Sequence, residues 1–93
     1  MTAIDVVCRP DGHGWRCNVR LADDRGTGEH TVRVTRADLG RLSPSAADPD
    51  DLVRRSFEFL LEREPRTSIL REFDLPVIAR YFPEYEQHVA RRV

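Results

Sequence analysis

Residues 48–65 read DPDDLVRRSFEFLLEREP, the longest segment of the chain with a clear start, a clear stop and a continuous apolar face. Asp48 is a good N-cap, and Pro49 suits the first helical position because its missing N–H would lack a partner there anyway. Asp50 and Asp51 put negative charge at the positive end of the helix dipole. Asp51, three residues after the cap, stands in the reciprocal capping slot, with Asp in place of the commoner Glu or Gln. Val53, Phe57, Leu60 and Leu61 recur at helical spacing, with Leu52 and Phe59 at the edges of that stripe. Pro65 disfavours helix at the residue before it. The reading is one helix over 49–64, the central beam of a small core. Arg54 and Glu58, four apart, are expected to pair on its outer face.

The first third of the chain has a different period. In AIDVVCR (3–9), Ile4, Val6 and Cys8 fall on one face. In WRCNVRLAD (15–23), Trp15, Cys17, Val19 and Leu21 do so, and in EHTVRVT (29–35) His30, Val32 and Val34. Period-two alternation with one polar face marks a sheet covered on one side. PDGHG (10–14) and DDRGTG (23–28) are short, glycine-bearing turns, so the three runs predict an antiparallel meander. Such a sheet cannot stand alone in water, and the helical half must cover its apolar face. Thr35 with Asp38 is a capping pair for a short helix, RADLGRL, which Gly40 weakens. SPSAADP (43–49) reads as a loop. After the long helix come three prolines: Thr67 or Ser68 can cap a short helix carrying Ile69, Leu70 and Phe73. Asp74 can cap a second with Pro76 in its first turn, and Pro83 can open a last one, PEYEQHVARR, with Arg91 and Arg92 at its end. The expected fold is α+β in a single domain, 1–93, with the sheet in 1–35 and a helical layer in 36–93.

Composition narrows the function classes. The 93 residues carry fifteen Arg, no Lys and sixteen acids, for a net charge of −1. Residues 1–47 hold seven Arg against six acids and residues 48–93 eight against ten, so neither half is a basic footprint for nucleic acid. Codon bias in a GC-rich genome explains the absence of Lys more simply than selection for anion recognition. No apolar run approaches the ~18 residues of a membrane span. The N-terminus MTAIDVVCRP lacks a basic region followed by an apolar core, so no secretory signal is expected and the cytoplasm is the default location.

The C-terminal half, SFEFLLEREP, then SIL and EFDL around Arg71, then IARYFPEYE, resembles a group of small uncharacterised bacterial proteins, largely actinobacterial. The similarity runs over about residues 50–87, with a looser match in the strands. It implies a shared fold and lends no catalytic residues, since the group has no established activity.

Several constellations carry chemistry in principle. Cys8, His13, Cys17 and His30 are the soft-ligand set, but Cys-x4-His-x3-Cys-x12-His matches no strong zinc spacing. If Cys8 lies across from Cys17 their side chains share a face, with His30 following on it. Two reduced thiols buried as small hydrophobes are the expected state, a disulfide or a metal the alternatives. Ser56 sits inside the long helix, where a hydroxyl usually bonds back to its own backbone, and no motif links it to His88. Glu58, Glu62 and Glu64 read as partners for Arg rather than catalytic acids. No catalytic residue, cofactor or metal is expected. TSILREFDLPVIARYF (67–82) has the outline of a helix-turn-helix, though its second helix would be apolar, with Arg80 its one basic residue. The remaining reading is protein–protein interaction, self-association to a homodimer included. Large apolar residues over 52–89 exceed what one sheet face needs, and Phe59, Arg80, Tyr81, Phe82 and Tyr85 are the expected exposed aromatic–basic patch.

Overall fold

The computed structural model describes residues 2–42 and 48–90. Most of the expected loop at 43–49, and Arg91 and Arg92 at the end of the last helix, lie outside the described residues. Three strands open the chain: β1 (Ala3–Asp11), β2 (Gly14–Asp23) and β3 (Gly26–Thr35). They pair antiparallel, with Cys8 opposite Cys17, Val19 opposite His30 and Cys17 opposite Val32. Two residues separate the paired strands in each hairpin. Gly12, at φ +61°, takes the first central position of the β1–β2 turn, the place a type II′ turn reserves for glycine. At Gly14 a Cβ would stand 2.1 Å from the backbone oxygen of Val34, so β3 crosses there at a distance only glycine tolerates. In the β2–β3 turn the Asp23 carboxylate accepts from the backbone N–H of Arg25 and Gly26. Those bonds, and the Arg66 guanidinium, hold its pKa below the usual carboxylate range.

The meander has a fourth strand that the sequence reading missed. β4 (Glu72–Asp74) adds to β3 in parallel, giving a mixed sheet of order β1-β2-β3-β4. Residues 69–74 therefore do not form the expected helix. A 3₁₀ turn at Arg66–Ser68 is all the helix there is, and the chain is extended by Ile69. Backbone bonds fix the addition at both ends: Thr31 N–H to the Arg71 oxygen (2.7 Å) and Leu75 N–H to the Arg33 oxygen (3.0 Å). Between them Arg33 grips Glu72 (2.6 Å) and Asp74 (2.7 Å), and both carboxylates, Asp74 most, raise its pKa. Phe73, on the opposite face, drops into the core.

The helices cover the apolar face. α1 (Arg36–Leu42) opens with the expected reciprocal cap: Asp38 N–H donates to Thr35 Oγ1, and Thr35 N–H donates to the Asp38 carboxylate. α2 (Pro49–Leu61) is capped by Asp48, which accepts from the Asp50 N–H. Asp51 does not complete the reciprocal cap; its carboxylate pairs with Arg55, one turn on. α2 stops at Leu61 rather than 64, because the N–H groups of Arg63 and Glu64 both turn back onto the Leu60 oxygen before Pro65. α3 (Val77–Tyr81) and α4 (Tyr85–Ala90) complete the layer. Leu52, Val53, Phe57, Phe59 and Leu60 of α2 meet Cys17, Val19, Leu21, Val32 and Val34 of the sheet in one core. The central beam is therefore buried over more of its circumference than one sheet face accounts for, and α4 supplies the difference.

Arginine staples these elements together. Arg54 donates to the Ile4 oxygen of β1, not to Glu58 as expected. Arg55 donates to the Val89 oxygen (2.9 Å), Arg63 to the Phe59 oxygen and Glu84 (both 3.1 Å), and Arg41 to Glu86. Arg66 bridges Asp23 and the Thr27 oxygen. A guanidinium can serve a carboxylate and a carbonyl at once through its planar fork, which an ammonium does less well. Such use is structural.

Candidate functional site

The soft-ligand set resolves differently from its expected state. Cys8 and Cys17 are joined in a disulfide across β1 and β2, correcting the expectation of two reduced thiols. Their register explains it, since the two residues face each other directly on one side of the sheet. With both sulfurs bonded to each other, neither is a thiolate ligand, and Cys8, Cys17 and His30 do not form a metal set. His30 is buried and does another job. Its Nδ1 is 2.8 Å from the Leu70 oxygen, so Nδ1 carries the proton and donates. That bond ties β3 to the segment before β4. His30 also stacks on Phe57 at 5.6 Å, and its Nε2 has no hydrogen-bond partner among the described residues. His13 stands exposed at the hairpin tip, where its backbone oxygen accepts from Arg36.

Ser56 and His88 are not brought together as a catalytic pair. The Ser56 hydroxyl donates to the Leu52 oxygen (2.8 Å), as a helical serine does. The Tyr85 phenol therefore donates to Ser56 Oγ (2.6 Å). Burial pushes the pKa of that phenol up. His88 stands against the Phe59 ring at 5.0 Å instead. The helix-turn-helix outline is corrected as well. Over 67–82 the chain runs from a 3₁₀ turn through β4 into the five-residue α3, so the first of the two helices does not exist.

The expected aromatic–basic patch is divided by the fold. Phe59 and Tyr85 are 0% exposed. Phe59 is the hub of the helical layer, edge-on to Tyr85 (5.4 Å) and Phe82 (5.9 Å), with the Arg63 guanidinium 3.6 Å over its ring. They leave the surface because α4 folds back onto α2, a contact no local pattern encodes. Arg80, Tyr81 and part of Phe82 stay outside. Tyr81 is 67% exposed, and Leu70, which the patch did not include, is 49% exposed. These two flank an open cleft of about 330 Å³ between the end of α2, the 68–70 segment and α3. Phe73 and Ile78 lie at its buried base, with Val77 and Phe82 half-buried along it and Glu64 at its rim. Its lining is mostly apolar, with aliphatic and aromatic walls and few polar groups.

No family model, curated protein or solved structure matches this chain. No helix among the described residues is long and apolar enough to cross a membrane.

Proposed function

We propose that the protein is a non-catalytic binding module whose Leu70–Tyr81 cleft takes apolar side chains of a partner protein. One observation carries the reading: two large apolar residues of a small domain stand open to water on either side of one apolar cleft. Exposed apolar groups gathered on one concavity mark a contact surface more often than scattered ones do, and tyrosine is among the residues interfaces favour. Glu64 and Ser68 supply the polar rim of the cleft. Shared descent with the small actinobacterial-type proteins is part of the same proposal and adds no chemistry to it. The cytoplasmic default is weakened by the Cys8–Cys17 bond, since disulfides persist in oxidising compartments. DNA binding through 67–82 has no recognition-helix pair to support it.

The test compares immobilised wild-type protein with a Leu70→Glu/Tyr81→Glu variant as bait, scored by quantitative mass spectrometry. The variant keeps its melting temperature, because both residues are exposed, and loses a partner that the wild type enriches. Identical enrichment by both baits removes the reading.

A further inference from the structure

β1 is the outer strand of the sheet, and among the described residues no strand pairs with its far edge. Residues of an antiparallel pair alternate between exchanging backbone hydrogen bonds and facing away from them. Cys8 and Cys17 lie 3.9 Å apart at Cα, the close spacing of a position that does not exchange bonds. By alternation Ile4, Val6, Cys8 and Pro10 all aim their backbone groups away from β2, at the free edge. The Ile4 oxygen agrees, since it is the one Arg54 reaches. On the core side Ile4, Val6 and Cys8 are only half-buried, whereas Cys17, Val19 and Leu21 beside them are fully buried. The edge is thus unfinished in both its hydrogen bonds and its apolar cover.

We propose that β1 pairs with β1 of a second copy of this chain, antiparallel about a two-fold axis at Val7, joining two sheets into one. The outer face of the strand fixes this register. It presents Asp5, Val7 and Arg9, all exposed, with Val7 at 56%. A two-fold at Val7 sets each Asp5 against Arg9 of the second copy and Val7 against itself. Placing the axis at Asp5 or Arg9 sets like charges together. At Val6 it puts Asp5 against Val7, and at Cys8 it puts Asp5 against Asp11. The backbone fits the same register. Val6 and Cys8 of the two copies exchange both their hydrogen bonds, and the Ile4 N–H meets the Pro10 oxygen. Pro10 has no N–H to return, and the oxygen it would have served, that of Ile4, already has Arg54. Ile4, Val6 and Cys8 of each copy then cover one another on the core side. This surface lies at the opposite edge of the sheet from the cleft, which Phe73 of β4 lines, so the two readings stand or fall separately.

Multi-angle light scattering over a concentration series tests it. Wild type is expected to approach twice the 10.7 kDa chain mass. Asp5→Arg or Arg9→Asp alone, each setting like charges in two symmetric pairs, weakens the dimer about tenfold or more, and the double exchange restores it. All four positions of the exchange in the dimer are exposed, so far-UV circular dichroism stays unchanged throughout. A wild-type mass that stays at one chain at the highest concentration overturns the proposal. So does a dimer that both single variants leave intact, and if Tyr81→Glu dissociates that dimer the cleft is the self-contact instead.

Discussion

At the scale of single residues, two side-chain contacts decide what the sequence could and could not say. The Cys8–Cys17 bond closes a loop with a sequence separation of nine. A crosslink of that size stabilises by about 2–3 kcal/mol through the unfolded state. Iodoacetamide is expected to add nothing to native protein without reductant, and Cys8→Ala/Cys17→Ala to lower stability by that amount in urea. Two alkylations on untreated protein would contradict the assignment. Tyr85 and Ser56 form the second contact. Tyr85→Phe removes one hydrogen bond and costs about 1 kcal/mol, whereas Ser56→Ala strands a buried phenol and costs about 1–3 kcal/mol. Because burial raises the Tyr85 pKa in the folded state, its contribution is complete below the unfolded value near 10. Stability is then lost as pH rises above that value, and the alkaline loss is smaller in Tyr85→Phe, which urea titrations at several pH values measure. Alternation put Cys8 and Cys17 on one face, but only their pairing register brings the sulfurs together. The Ser56 contact was half legible: its bond to Leu52 follows from helix geometry, and its bond to Tyr85 depends on the docking of α4.

At the scale of elements, caps and periods were readable and pairings were not. Asp48, the Thr35–Asp38 pair and the three alternating runs placed α1, α2 and β1–β3, because each signal acts within a few residues. β4 is three residues, EFD, too short for any period to show. Its strand character comes from what β3 offers: an open edge, Arg33 to hold Glu72 and Asp74, and a hydrophobic site for Phe73. Which of these matters most can be separated. Phe73→Ala empties a buried aromatic site and is expected to cost about 3–5 kcal/mol. Arg33→Ala removes two partly exposed, solvent-screened ion pairs and is expected to cost much less. Chemical denaturation of both variants checks the order; an equal or reversed pair of losses would place the strand's docking in the charges. The same reasoning explains the patch. Phe59 and Tyr85 have the composition of an interface but serve as the seam between α2 and α4, and Leu70 entered the cleft only because its segment is extended rather than helical.

At the scale of the whole molecule, the helices cover the apolar face of the sheet among the described residues, and two places at its opposite edges stay open. Beside β4 the finish is an apolar cleft with Leu70 and Tyr81 open to water. Along β1 it is a bare strand edge with self-complementary charges. Arg33, Arg41, Arg54, Arg55, Arg63 and Arg66 are engaged in holding elements together. The composition had suggested an excess of apolar residues in the helical half. The structure disposes of most of that excess in the α2–α4 seam and concentrates the remainder in the cleft. A photo-activated cross-linker in place of Tyr81, irradiated in living cells, tests that assignment most directly. The account predicts a discrete adduct that Leu70→Glu abolishes and that the same cross-linker at the exposed hairpin residue Arg25 does not form. No adduct at position 81, or the same adducts from both positions, would contradict it.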